Sequence, residues 1–290
     1  MSAKSKLQYS LQQILSCDKT GSYATQYDRR CLLFQFTEDV IKSGYKVVQV
    51  HDLKTKHIQT VVNHWQQQGL SNGALKNRLS AIRHLVKLIN KSSIVPNNKE
   101  LGIGARKYVP VQNRAIINPD FSRIINHNIR ISLELQRVYG FRREESLKIK
   151  PHLADRGGVL ELQPSWCKGG RGRFIPIRTD EQRYWLERAK EMAGKIGNSL
   201  IPGDKNYIQQ RNIYDKQVKR AGLSKMHGLR HAYAQQRYKE LAGWEAPING
   251  GPTSKELTPE QKEIDYHARM VLTEELGHSR IQITVNYCGR

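Results

Sequence analysis

No run of roughly 18 apolar residues occurs anywhere in this 290-residue chain, so nothing in it reads as a membrane span. The opening MSAKSKLQYS lacks the apolar stretch of a secretory signal. Cysteine is scarce. Cys17, Cys31, Cys167 and Cys288 form no CxxC pair and show no zinc-ligand spacing, which fits a reducing cytosol. Acidic residues are the main shortfall: 26 Asp and Glu face 48 Lys and Arg, a net charge of +22. That imbalance implies a polyanionic partner, and nucleic acid is the commonest. It is not the work of a tail, since residues 1–104 carry about +9 and the remainder about +13. A cytoplasmic, nucleoid-associated protein is expected.

The first third predicts helices. Leu32, Leu33, Phe36, Val40 and Ile41 fall at helical spacing before Gly44. Ile58, Val61, Val62 and Trp65 repeat in the same way before Gly69. Ser71 is a good N-cap for a third helix with the stripe Leu75, Leu79, Ile82, Val86 and Ile89. Arg78, Arg83 and Lys87 lie mostly off that stripe, where they either track a DNA backbone or solvate a helix face. The Pro-, Gly- and Asn-containing stretch from Lys91 to Arg114 has linker chemistry. We therefore expect a helical domain over 1–104, a linker over 105–118 and a second domain over 119–290.

The second domain should be α+β. Asn118-Pro119 suggests a helix start, with helices over about 119–127, 130–139 and 142–149. Residues 157–162 and 173–177 alternate like two strands around the turn-rich Lys168-Gly169-Gly170-Arg171-Gly172. Thr179 and Gln182 form a capping box for the next helix. Further helices fit 205–221, 228–242, 260–276 and 279–287, with a Gly/Pro-containing loop near 243–260.

Five segments carry chemistry only when taken together: Tyr139-Gly140-Phe141-Arg142 with Glu145; Lys168 followed by Arg171, Arg173 and Pro176; His227-Gly228-Leu229-Arg230-His231; Leu276-Gly277-His278; and Tyr287. Attack on a phosphodiester builds negative charge on non-bridging oxygens, which guanidiniums clamp bidentately. A tyrosine nucleophile must lose a proton to a base such as imidazole, and the leaving oxygen needs a donor such as lysine. Fixed cations can stabilise that transition state without a metal, and a phosphotyrosine conserves the bond energy without ATP. His227 and His231, four apart on a helix, could alternatively suit zinc, but Gly228 stands where HExxH needs Glu.

In these segments the chain resembles the tyrosine recombinases, which include phage and transposon integrases. Tyr139 to Arg142 with Glu145 matches their first arginine box, with Tyr in place of the usual Thr. Lys168, Arg171, Arg173 and Pro176 match the β-hairpin lysine segment, His227 to Arg230 the His-x-x-Arg box, and Leu276-Gly277-His278 the Leu-Gly-His box. Tyr287 lies nine positions after His278, where the family's nucleophile falls. The resemblance is strong over 119–290 and weaker over 25–92. It implies a mainly α protein with a small β-sheet, built as a core-binding domain and a catalytic domain that clamp duplex DNA. It implies catalysis by Tyr287, Arg142, Lys168, His227, Arg230 and His278, no cofactor, and DNA contacts from Arg78, Arg83, Lys87, Arg171 and Arg173. Glu145 and His231 would support the site. Partners would be double-stranded DNA, further copies forming a dimer or tetramer on it, and an accessory DNA-bending protein. A DNA-binding protein of the same fold without recombinase activity is the other reading. Two features depart from the family: a long His227–His278 interval, attributed to the 243–260 loop, and only three residues after Tyr287, where many members carry a segment that packs on a neighbour.

Overall fold

A computed structural model describes residues 2–106 and 108–290. The chain divides into two compact units, Met1–Lys107 and Tyr108–Arg290. The first is all helical: α1 (Ala3–Cys17), α2 (Tyr23–Lys42), α3 (Thr55–Gln67) and α4 (Asn72–Leu88). Each apolar stripe expected from the sequence faces one core. Phe36, Val40, Ile58, Val61, Val62, Trp65, Leu75, Leu79, Ile82 and Val86 all become buried there. Ser71 caps α4 by accepting from the Ala74 amide at 3.2 Å. Ser2 caps α1 in the same way. Leu101 and Ile103 complete this core, so the 91–103 stretch folds against α4 and is no free spacer.

Two arginines of α4 expected on DNA make contacts within the protein. Arg78 lies 4.6 Å over the Trp65 ring and 4.0 Å from Asp39, whose carboxylate also accepts from the buried indole at 2.8 Å. Arg83 donates to the Pro96 carbonyl and to Asn98 Oδ1, both at 3.0 Å, and so ties α4 to the following segment. Lys87 remains exposed.

The second unit contains α5 (His127–Tyr139), α6 (Arg143–Lys148), α7 (Pro151–Ala154), β1 (Val159–Leu162), β2 (Arg173–Pro176), α8 (Asp180–Ala193), α9 (Tyr207–Arg220), α10 (Gly228–Ala242), α11 (Pro259–Glu275) and α12 (Val285–Cys288). The two strands form an antiparallel hairpin that pairs Leu160 with Ile175 and Leu162 with Arg173. The helix expected over 119–127 is absent. Asn118 takes a left-handed conformation (φ 50°) rather than the extended one of an N-cap. The cap is Asn126, which accepts from the Ile129 amide at 3.1 Å and starts α5. The Thr179–Gln182 capping box forms, with Gln182 N donating to Thr179 Oγ1 at 3.1 Å.

Helix α5 is central, buried along almost its whole length from Ile129 to Tyr139. It ends at Gly140, in the left-handed region at φ 64°. A Cβ there would lie 2.4 Å from the Tyr233 ring, so only glycine permits the turn that delivers Arg142 to the start of α6. Among the described residues no helix is long and apolar enough to cross a membrane.

Candidate active site

Arg142 is the N-cap of α6, and Glu145, three residues on, reaches back to accept from its backbone N–H at 2.8 Å. The same carboxylate is fully buried and gathers three guanidiniums. Arg142 donates to it at 2.6 Å, Arg173 donates to both oxygens at 3.1 and 2.7 Å, and Arg230 lies 3.8 Å away. Burial pushes the Glu145 carboxyl up, but the Arg173, Arg230 and Arg142 charges outweigh it and hold the group down at about 2. One carboxylate against three guanidiniums leaves a surplus of positive charge in a poorly hydrated place.

Arg173, expected on DNA, points into the protein. Strand alternation turns it inward beside Ile175, and it is buried. Besides Glu145 it donates to the Glu275 carbonyl at 2.6 Å, so it braces the site. Arg171, in the connecting turn, is exposed.

Helix α10 supplies the next group. Its N-terminus can approach the 114–116 segment because Gly228 has no Cβ; one would sit 2.5 Å from the Arg114 carbonyl. Arg230 in the first turn is entirely buried, and its guanidinium donates to the Gly140 and Leu276 carbonyls. Burial pushes its pKa down to about 10, which leaves it cationic at neutral pH. Its Nε lies 3.4 Å from the Tyr287 hydroxyl, and Nη2 lies 3.4 Å from His278 Nε2. Since arginine only donates, that imidazole nitrogen must accept, placing the His278 proton on Nδ1.

Tyr287 is buried on α12, with its ring 6.1, 4.7 and 5.6 Å from those of His227, His231 and His278. Loss of hydration, then neighbouring charges, pushes His231 down to about 4 and His278 to about 3; for His278 the leading charge is Arg230. His227 is pushed the same way, to about 4, but its residue surface is open, so water blunts the effect. These depressed values give a stability prediction. Below pH 6.5 the unfolded chain binds protons that the folded histidines refuse, so folding stability falls with acidification from there towards pH 4. The urea midpoint should drop between pH 7 and pH 5, above the range where carboxylates contribute. An unchanged midpoint would show that the site histidines protonate freely in the folded state.

The structure thus gathers Arg142, His227, Arg230, His278 and Tyr287. Lys168 stands apart in the exposed connection between β1 and β2, and among the described residues it has no hydrogen-bond or ion-pair partner. Cys288 is fully buried beside Tyr287 and its thiol is pushed up to about 12, so it is an inert packing group. Sequence reasoning missed Gln235, which donates to the Tyr287 carbonyl at 2.9 Å. Its signal was its place one helical turn after His231, on the stripe of α10 that faces Tyr287.

Comparison with known proteins finds matches over both parts of the chain. Residues 4–95 match the family model described as phage integrase, N-terminal, and residues 110–236 match the one described as integrase. The second match includes Arg142, Lys168, His227 and Arg230 and stops before His278 and Tyr287. No curated protein matches the chain in sequence. Among solved structures, it is similar to a lambda integrase dimer bound to a COC′ core site (17% identity, 97% of this chain and 75% of that one, TM-score 0.59). It is also similar to XerH site-specific recombinase bound to difH substrate in a pre-cleavage complex (14%, 97% and 80%, TM-score 0.58). A third likeness is to the Tn1549 transposon integrase in complex with circular intermediate DNA (13%, 100% and 96%, TM-score 0.54). At these identities the structural likeness is one of fold, and the family models carry the assignment. The chain belongs to the phage integrase family.

Proposed function

We propose that the protein is a site-specific DNA recombinase that cleaves and rejoins strands through a covalent 3′-phosphotyrosine, without metal or ATP. The observation that carries this reading is the buried Arg230 guanidinium held 3.4 Å from the Tyr287 hydroxyl, in a cluster with more guanidinium than carboxylate charge. Such a place suits a phosphate, whose charge grows as it is attacked. In the proposed step the Tyr287 oxygen bonds to phosphorus as the bond to the 5′-oxygen breaks. His227 takes the phenol proton and Lys168, on its exposed turn, gives one to the departing 5′-oxygen. Arg142, Arg230 and His278 hold the non-bridging oxygens, while Glu145 and His231 keep them in place. The reverse attack by a 5′-hydroxyl rejoins the strand. Exposed Lys87 and Arg171 remain the candidates for backbone contacts. Duplex DNA is the proposed substrate, with several copies assembling on it.

Covalent trapping tests the proposal. Wild-type and Tyr287→Phe protein would be mixed, in EDTA, with nicked duplexes from the flanks of the protein's own gene and run on denaturing gels. We expect an adduct with wild type alone. Salt-sensitive binding without an adduct would favour a protein of this fold that only binds DNA. An adduct that persists in Tyr287→Phe would mean that another residue is the nucleophile.

A further inference from the structure

The nucleophile sits on a helix that cannot hold itself. Helix α12 spans four residues, Val285–Cys288, too few to be stable without external support. Its last carbonyls have no partner within the helix and must find one elsewhere. Gln235, buried on α10, supplies one by donating Nε2 to the Tyr287 carbonyl at 2.9 Å. The amide that does this is itself fixed on both atoms. Gln235 Nε2 also donates to Asn113 Oδ1 at 2.8 Å, and Asn113 Nδ2 donates back to Gln235 Oε1 at 3.1 Å. Asn113 Nδ2 is shared with Asn249 Oδ1 at 2.6 Å. Asn249 lies on a single 3-10 turn, Pro247–Asn249, within the 243–258 segment between α10 and α11. That segment approaches α12 so closely that a Cβ on Gly289 would lie 2.9 Å from the Ile248 amide.

We propose that Gln235 is a positioning residue for Tyr287, and that the 243–258 segment, through Asn249 and Asn113, locks its amide in the orientation that holds α12 with the phenol against Arg230. The inference rests on the proposed strand-transfer function. It assigns a task to a segment that would otherwise be a surface loop: the segment sets where the nucleophile stands. A displacement of the attacking oxygen by an ångström is costly in rate while leaving substrate affinity intact. The expected signature is therefore a loss in the chemical step alone.

The test uses the full chain and the nicked duplexes described above, with single-turnover adduct formation measured at saturating DNA. Gln235→Met keeps the shape and removes the donor; it should slow the adduct by about tenfold, with DNA affinity within about twofold of wild type. Asn249→Leu removes the acceptor for Asn113 and should slow the reaction to a lesser degree, whereas Asn249→Asp keeps that acceptor and should restore it. Equal rates for wild type and Gln235→Met would overturn the proposal. So would a rate loss matched by an equal loss of DNA affinity, or Asn249→Asp being as slow as Asn249→Leu. If Gln235→Met fails to fold, the Asn249 pair decides alone. If wild type forms no adduct, the functional reading falls and takes this inference with it. A wild-type adduct with unaffected variants removes this inference only.

Discussion

Arg230→Ala should slow covalent adduct formation by about 10²–10³-fold or more, the loss seen when one preorganised charge-stabilising donor is removed from an active site. The guanidinium is fully buried, is fixed by two backbone carbonyls and already lies beside the Tyr287 hydroxyl and His278, so it needs no reorganisation when charge develops. Arg230→Lys should fail almost as badly. A single ammonium cannot reach the Gly140 and Leu276 carbonyls and still face the phenol. Truncation also leaves those carbonyls without donors, at about 1–3 kcal/mol each, so the folded state must be checked alongside the rate. A folded Arg230→Ala protein that cleaves within about tenfold of wild type would remove Arg230 from the chemistry.

Glu145→Gln is expected to destabilise the fold by about 3–5 kcal/mol, the range for stripping the charge from one side of a buried ion pair. The glutamine can still accept from the Arg142 amide, but Arg173 then keeps a buried, uncompensated charge. The pH dependence provides an independent check. The folded carboxyl is held at about 2 against an ordinary 4.5, so its contribution is complete above about pH 4.5 and is lost as pH falls towards 2. That interval corresponds to about 3 kcal/mol. Urea unfolding should therefore show wild type well above Glu145→Gln at pH 6, with the two converging as pH drops below 4.5. A gap under about 1 kcal/mol at pH 6 would mean the three arginines do not depend on this carboxylate.

What the sequence by itself determined is local. Caps at Ser71 and at Thr179–Gln182, the helical stripes of α3 and α4, and the alternation of β1 and β2 depend on residues within a turn or two of one another, and they formed as read. The α1 helix carries the same kind of signal in Ser2, Leu7 and Leu11. The chemistry-bearing boxes were legible because their internal spacing is short. Asn118 misled because Asn suits an N-cap and a left-handed turn alike, and only the packing of Phe121 and Ile124 chooses between them.

Only the tertiary structure decided how each arginine is used. Arg78, Arg83 and Arg173 look as available as Lys87 and Arg171 in one dimension. A cation's role depends on which carboxylate, carbonyl or ring reaches it first, and those partners come from elsewhere in the chain. Glu145 meets Arg173 across 28 positions, Gln235 meets Tyr287 across 52, and Arg230 meets Tyr287 across 57. No local pattern encodes such meetings. They follow from the burial of α5 and α10 against their neighbours, which carries these groups out of water and leaves each one only the partners that packing brings within reach.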